Sequence, residues 1–175
     1  MMLPPWLAGA PQGWRLDLEE HRASWDRGIG SAQVGGRWNP VGYAVVYCSA
    51  DPATAILEVA VHKGLPALDR VRHVETKIRL LDSADVHVVE PDDVPNPNWL
   101  LPGSPSKAQQ EFGRDLLKDS PFVLIPSAVS RESWNLLFNP DRAAGRYDVI
   151  SQKRFALDTR LSERHPVNEA SSVSG

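Results

Sequence analysis

An arginine beside two glycines is the first candidate for chemistry in this chain. Arg37 directly follows Gly35 and Gly36. The donor fork of a guanidinium matches the oxygens of a phosphate or carboxylate, and glycines let backbone N–H groups approach the same anion. The alternative is an arginine exposed in a turn, where charged residues are common. The spacing by itself leaves both interpretations open.

A tyrosine in an apolar run is the second candidate. Residues 43–48 have the composition of a buried strand, and a period of two places Tyr43, Val45 and Tyr47 on one face. A tyrosine near a strand end can stack on a flat heterocycle and donate its hydroxyl. It can equally be a core tyrosine whose hydroxyl is satisfied within the protein.

The third candidate is Glu58, an acid inside the apolar segment 55–61. With helical periodicity, Asp51, Thr54, Glu58 and His62 fall on one narrow stripe. Such a stripe either faces water or lines a pocket. In a pocket, apolar neighbours lower the local dielectric and strengthen the field of a carboxylate.

Two further polar residues are candidates for ligand binding. Ser127 follows the apolar run 122–125 and Pro126, so its hydroxyl lies at a strand end, where it can contact a ligand or form a turn. Asn135 and Asn139 are local caps in the simplest interpretation and ligand contacts in the other.

Several classes of site are not indicated. No histidine has a metal-ligand spacing to a second His or Cys, so the sequence predicts no metal site. A Gly-x-Ser-x-Gly elbow, a Gly-x-Gly-x-x-Gly motif and a Walker loop are all absent, which argues against a dehydrogenase or a kinase. The histidines are His21, His62, His73, His87 and His165.

Short elements joined by many turns must position these side chains, because the chain has 15 prolines and 12 glycines. Asp51 as N-cap, Pro52 at the first turn and Gly64 as the stop predict a helix over 52–63. A second amphipathic helix is predicted over 106–119. The glycine-rich segment 26–36 and the proline-rich segment 91–105 are predicted loops. Strands are predicted at 14–18, 43–48, 69–81, 86–89, 122–125 and 147–157.

Length and composition predict one α+β domain. The chain has 175 residues, 42% of them hydrophobic, and a net charge of −3, which does not favour direct nucleic-acid binding. The single cysteine, Cys48, fits a reducing compartment. Neither a signal peptide nor an apolar run long enough to cross a bilayer is evident, so a cytoplasmic protein without membrane association is expected.

Six stretches in series resemble the RES-domain family of bacterial toxins. The resemblance covers roughly residues 14–161, so a RES domain is expected over 1–161 and a disordered tail over 162–175. The stretches are 35–42 (Gly-Gly-Arg-Trp-Asn-Pro-Val-Gly), 44–49 (Ala-Val-Val-Tyr-Cys-Ser), 55–62 (Ala-Ile-Leu-Glu-Val-Ala-Val-His), 126–129 (Pro-Ser-Ala-Val), 135–140 (Asn-Leu-Leu-Phe-Asn-Pro) and 155–161 (Phe-Ala-Leu-Asp-Thr-Arg-Leu).

The resemblance assigns roles to individual residues. The Arg, Glu and Ser that name the family correspond to Arg37, Glu58 and Ser127, and Tyr47 matches the family's active-site tyrosine. It implies catalysis by Glu58, Arg37 and Tyr47, with Arg37, Tyr47, Ser127 and Asn135 binding the substrate. Many members have a histidine after the last Asn-Pro, where this chain has 141–142 (Asp-Arg), so that turn is given no catalytic weight.

The resemblance also implies a fold and an activity. The fold would be like that of ADP-ribosyltransferases, with two small mixed or antiparallel sheets, flanking helices and NAD+ in the cleft between the sheets. NAD+ would be the substrate, cleaved at the nicotinamide–ribose bond by a glycohydrolase or a phosphorylase, with no other cofactor. The expected partner is an Xre-like antitoxin carrying a helix-turn-helix.

Two other functions stay open at this stage. One is a toxin that ADP-ribosylates a specific cellular protein. The other is a non-enzymatic module that only binds an antitoxin. A nucleic-acid-cleaving toxin is disfavoured by the acidic balance and by the lack of interleaved basic and aromatic residues.

Overall fold

A single seven-stranded sheet organises the protein. The computed structural model describes Leu7 and residues 9–158. The strand order is β4-β5-β6-β2-β1-β3-β7, and all neighbours are antiparallel except the parallel pair β4–β5. The strands are Gln12–Leu18 (β1), Val46–Ser49 (β2), His73–Leu80 (β3), Val86–Val88 (β4), Phe122–Pro126 (β5), Trp134–Phe138 (β6) and Tyr147–Phe155 (β7).

Among the described residues, two of the five α-helices were predicted with their ends, and both are confirmed. The Asp51 side chain accepts a hydrogen bond from Thr54 N at 2.8 Å, and Gly64 ends the helix with φ 79°. The Ser106 hydroxyl caps the other helix through Gln109 N at 3.2 Å. The helices are Ile29–Val34 (α1), Pro52–Lys63 (α2), Leu65–Arg70 (α3), Lys107–Asp119 (α4) and Pro140–Ala143 (α5).

The prediction of a flexible loop over 26–36 is wrong, because α1 lies within it. Gly28 and Gly35 have φ values of 61° and 76°, so they flank this helix instead of loosening it. The Ser31 hydroxyl donates to Val45 O at 2.6 Å and accepts from Val45 N at 2.9 Å. These bonds tie α1 to the segment that enters β2.

The prediction of two small sheets is not confirmed, because the seven strands form one continuous sheet. Pairing within this sheet is weakest between β1 and β2. β1 and β2 share a single register pair, Trp14 with Ser49, whereas β1 and β3 share seven. Past that pair, the carbonyl of Tyr47 accepts a hydrogen bond from the Arg15 guanidinium at 2.9 Å. All four residues of β2 pair with β6, so the ladder is interrupted only between β2 and β1.

The core lies on both faces of the β4–β2 half of the sheet. Alternation along the fully buried β5 sends Phe122 and Leu124 to one face and Val123 and Ile125 to the other. The first face packs against Trp25, and the second packs against α4 and Trp38. This two-sided burial explains the continuous apolar run of β5.

A glycine in α4 permits close packing against the segment that carries the first candidate residue. A Cβ at Gly113 would overlap the carbonyl oxygen of Trp38 and lie 2.6 Å from its Cβ. Gly113→Ala is therefore expected to lower the free energy of unfolding by about 1–3 kcal/mol, because the contact is with backbone that must shift. Denaturant unfolding measures this.

Gly30→Ala is the matched control, since Gly30 is also helical and a Cβ there has nothing within 4 Å. It is expected to leave stability unchanged or slightly raised. Equal losses for the two variants would contradict the packing argument.

Two expectations concern residues outside this description. The disordered tail at 162–175 and the domain ends at 1–6 and 159–161 lie outside the described residues. Within the part of the chain that is described, no helix has the length and apolar character needed to cross a bilayer.

Candidate active site

A cavity of about 1060 Å³ opens where β1 and β2 diverge. Its walls include Arg37, Tyr47, Glu58 and Asn135, which lie far apart in the chain. Ser127 lies behind Glu58, and its neighbours Ala128 and Val129 complete the wall. Five of the six residues singled out in the sequence therefore meet at one place, whereas Asn139 caps α5 and donates to Ala44 O away from the cavity lining.

The carboxylate of Glu58 is held by two donors from the other half of the fold. Its Oε1 accepts from Ser127 Oγ at 2.9 Å and from Asn135 Nδ2 at 2.6 Å. Both donors are at least nine-tenths buried. The polar stripe of α2 thus lines a pocket at Glu58, which decides between the two interpretations of the sequence. Oε1 is therefore anchored by both donors, and neither of them bonds Oε2.

The hydroxyl of Ser127 is oriented by the turn that follows β5. Its oxygen accepts from the backbone N–H groups of Val129 and Ser130, both at 3.1 Å. Because both lone pairs accept, the hydroxyl proton is directed at Glu58. In this structure the Ser127 hydroxyl donates to Glu58. Direct contact between Ser127 and a ligand stays a prediction.

Tyr47 presents its ring to the cavity and keeps its hydroxyl inside the protein. The hydroxyl donates to Asn39 Oδ1 at 2.6 Å and accepts from Trp38 N at 3.1 Å. Burial raises the pKa of Tyr47 well above its ordinary value, and the Trp38 N–H and the charge of Arg37 only partly offset this. The phenol therefore stays neutral at physiological pH.

Arg37 is anchored to the proline-rich segment 91–105. Its guanidinium donates to the carbonyls of Trp99 at 3.0 Å, Leu101 at 3.1 Å and Gly103 at 3.2 Å. A guanidinium has five N–H groups, so these bonds leave two for a ligand. The structure pairs Arg37 with no carboxylate among the described residues, and its positive charge faces the cavity without a counter-ion.

Three supporting residues escaped the sequence analysis. Asn39, which is fully buried, accepts from Tyr47 and donates to Ser31 O at 2.9 Å. Gln110 of α4 donates to Gly36 O at 2.9 Å, and Gln109 donates to Trp99 O at 3.0 Å. In the sequence, no spacing connects Asn39 to Tyr47, and no periodicity distinguishes these glutamines from exposed ones.

An ion pair on β1 forms another part of the wall. Arg15 and Asp17 are 2.6 Å apart, with side chains 24% and 14% exposed. Asp17 neutralises Arg15, whereas Arg37 and Lys63, which also line the cavity, form no ion pair among the described residues. No sequence pattern pointed to this pair, since it depends on where β1 and β2 separate.

Comparisons with known proteins show which family the chain belongs to. The RES domain family matches residues 12–158. The chain belongs to the RES domain family. The match contains all five of the candidate residues, Arg37, Tyr47, Glu58, Ser127 and Asn135.

Relatives of this RES domain include named toxins. The Prs ADP-ribosylating toxin of Sphingobium sp. (strain YBL2) is 33% identical over 134 residues, which are 73% of this chain and 81% of that protein. Toxin Res of Pseudomonas putida is 31% identical over 138 residues, covering 77% and 90% of the two chains. Toxin Res of Yersinia enterocolitica is 28% identical over 153 residues, covering 85% and 97%.

A solved structure shares the fold of this RES domain. It is the crystal structure of the M. tuberculosis MbcT–MbcA toxin–antitoxin complex, with a TM-score of 0.61 and 17% identity. The alignment covers 84% of this chain and 85% of that one. At that identity the match confirms the α+β fold class.

Other chemistries find little support in the RES domain. Within residues 9–158, no three His, Cys, Asp or Glu side chains are grouped to hold a metal ion. Burial raises the pKa of Cys48 to about 12, so its thiol stays protonated and is a poor nucleophile. The residues with ionisable side chains that line the cavity include Arg37, Glu58, His62 and Lys63.

Hydrogen bonds fix the N-terminal end of α2, the helix that carries Glu58 in this RES domain. Asp51 Oδ2 accepts from Thr54 Oγ1 and from Ser133 Oγ, both at 2.7 Å, which links α2 to the turn before β6. Burial raises the pKa of Asp51, but the hydrogen bonds from Thr54 and Ser133 outweigh burial and leave the pKa below its ordinary value.

Asp51→Ala is expected to lower the free energy of unfolding by about 1–2 kcal/mol at pH 7. Because the folded pKa is depressed, this stability is present above the unfolded pKa of about 3.9 and is lost as the pH falls through the lower folded value. Thermal unfolding of wild type and variant between pH 7 and pH 3 measures it. A difference that grows toward pH 3 would contradict the assignment.

Proposed function

We propose that this RES domain is the toxin of a toxin–antitoxin pair and that it cleaves the nicotinamide–ribose bond of NAD+. The observation that carries the proposal is the anchored carboxylate of Glu58 in the cavity that also holds Arg37 and the ring of Tyr47. Relatives named as toxins, one of them as an ADP-ribosylating toxin, support it.

The reaction creates positive charge on the nicotinamide ribose. The C1′–N1 bond breaks, its electron pair leaves with nicotinamide, and positive charge develops on C1′ and the ring oxygen. An ionised carboxylate beside the ribose stabilises that charge, most strongly when it is already oriented. With Oε1 fixed by Ser127 and Asn135, Oε2 of Glu58 is the group that meets the ribose.

The remaining residues bind the rest of the dinucleotide. The two N–H groups of Arg37 that do not bond backbone carbonyls can bind the pyrophosphate. The ring of Tyr47 stacks on or orients nicotinamide, a role that does not need its hydroxyl. Nicotinamide leaves as a neutral molecule from a pyridinium, so no general acid is required, which agrees with the neutral, buried phenol.

The acceptor distinguishes a glycohydrolase, a phosphorylase and a transferase. Water, inorganic phosphate or a protein side chain would add to C1′ and lose a proton to solvent. A cavity of about 1060 Å³ accommodates a small acceptor beside NAD+. The name of the Sphingobium relative favours a protein acceptor as the second candidate.

The test is nicotinamide release from NAD+, followed by chromatography in three arms. These are buffer alone, buffer with inorganic phosphate, and a cell lysate with tagged NAD+. Release in buffer indicates a glycohydrolase, phosphate-dependent release a phosphorylase, and a labelled protein with little free ADP-ribose a transferase. No release in any arm would overturn NAD+ cleavage and leave the non-enzymatic, antitoxin-binding alternative.

The proposed partner is an antitoxin of the Xre-like, helix-turn-helix type. Apolar side chains remain exposed where they border the cavity: Ile29 by 50%, Val34 by 79% and Val61 by 63%. A partner that covers these side chains would close the cavity to NAD+. It would thereby protect the NAD+ of the cytoplasm from cleavage. Co-purification with the product of the neighbouring gene, with loss of nicotinamide release, tests this.

A further inference from the structure

A chain of oriented hydrogen bonds runs from β2 through β6 to Glu58. Ser49 of β2 lies directly opposite Asn135 of β6 in the ladder. The Ser49 hydroxyl donates to Asn135 Oδ1 at 3.1 Å, and Asn135 Nδ2 donates to Glu58 Oε1 at 2.6 Å. Ser49 is 3% exposed and lines the cavity.

The orientation of Asn135 decides whether Glu58 is supported or opposed. An amide has one accepting and one donating end, and only the donating end stabilises a carboxylate. The Ser49 hydroxyl bonds the accepting end, so the donating end turns toward Glu58. The carboxylate of Glu58, which only accepts, and the donating hydroxyl of Ser49 favour the same orientation, because the reversed amide would place its oxygen against the Glu58 oxygen.

We propose that Ser49 is a positioning residue for the NAD+ reaction, acting on Glu58 through the amide of Asn135. With the Asn135 amide held by Ser49 and the Ser127 hydroxyl held by the turn after β5, both donors converge on Oε1, and Oε2 is left for the ribose. This inference rests on the proposed function.

Turnover of Ser49 variants gives the first test. Ser49→Ala is expected to lower kcat about five- to tenfold, the worth of about one hydrogen bond, while KM changes less than about twofold. Ser49→Thr keeps the hydroxyl and is expected to restore most of kcat. Ser151→Ala, in β7 at the far edge of the sheet, is the serine control and is expected to match wild type.

A double-mutant cycle separates positioning from a general loss of structure. If Ser49 acts through Asn135, Ser49→Ala adds less than about twofold to the loss already caused by Asn135→Ala. Losses that multiply, a loss confined to KM, no loss in Ser49→Ala, or no recovery in Ser49→Thr would each overturn the inference.

A measurement independent of turnover keeps this inference separate from the proposed function. In protein labelled with ¹⁵N-asparagine, the side-chain amide protons of Asn135 are expected to exchange slowly with solvent in wild type and at least about tenfold faster in Ser49→Ala. Equal exchange in both proteins would overturn the Ser49–Asn135 link even if NAD+ is cleaved. Protected exchange with no NAD+ cleavage would remove the proposed function, and the positioning role with it.

Discussion

Glu58→Gln is expected to lower the rate of nicotinamide release about 10²- to 10³-fold, while the Kd for NAD+ stays within about threefold of wild type. The amide keeps an oxygen that can accept from Ser127 and Asn135, so the local fold is preserved. It removes the negative charge at Oε2, where the developing cation needs it. Initial rates by chromatography and calorimetric titration with NAD+ measure the two quantities.

Glu111→Gln is the matched control, because Glu111 is also helical and bonds only weakly to Lys107 at 3.8 Å on the surface. It is expected to leave the rate unchanged. A Glu58→Gln protein as active as wild type would remove Glu58 from the mechanism, whatever the stability of the variant.

Arg37→Ala is expected to weaken NAD+ binding and to lower kcat/KM about 10²-fold or more. The loss has two sources, the charge that faces the pyrophosphate and the three bonds that hold the carbonyls of Trp99, Leu101 and Gly103. Arg37→Lys is expected to recover little, because an ammonium lacks the planar fork that meets carbonyls and phosphate together. Titration with NAD+ and initial rates measure both effects.

Arg79→Ala provides the comparison for a general loss of positive charge, since the exposed side chain of Arg79 pairs with Asp148 at 2.9 Å. Its effect on NAD+ binding is expected to be within about twofold. If Arg37→Ala binds NAD+ as tightly as wild type, the pyrophosphate does not lie at Arg37.

Local signals in the sequence predicted the element that carries the acid. Asp51, Pro52 and Gly64 define both ends of α2, and the alternation of Val74, Thr76, Ile78 and Leu80 defines the buried face of β3. These features were predictable because capping and periodicity depend on neighbours within a few residues. The resemblance of six stretches to RES domains then identified Arg37, Tyr47 and Glu58, which no spacing rule connects.

Features that depend on long-range contacts were not predicted. Glycines at 28 and 35 indicated a loop, yet the segment between them is a helix, which Ser31 bonds to Val45. One continuous sheet, instead of two, follows from the single register pair of Trp14 with Ser49. Registers of this kind are set by tertiary packing.

The supporting contacts of the site were equally hidden from sequence analysis. Ser49 and Asn39 are ordinary strand and turn residues in the sequence, and only the fold brings Ser49 opposite Asn135 and Asn39 against Tyr47. The carbonyls that anchor Arg37 come from a proline-rich segment more than 60 residues away. The chemistry of a side chain can be predicted from its type, but its partners depend on the fold.

The most direct test of the account is a crystal structure of the Glu58→Gln protein with NAD+. The account predicts the dinucleotide in the cavity between β1 and β2, with a hydroxyl or the ring oxygen of the nicotinamide ribose within about 3.5 Å of the side chain at position 58 and the pyrophosphate against Arg37. A dinucleotide bound outside this cavity, or bound inside it with the nicotinamide ribose far from position 58, would contradict the account.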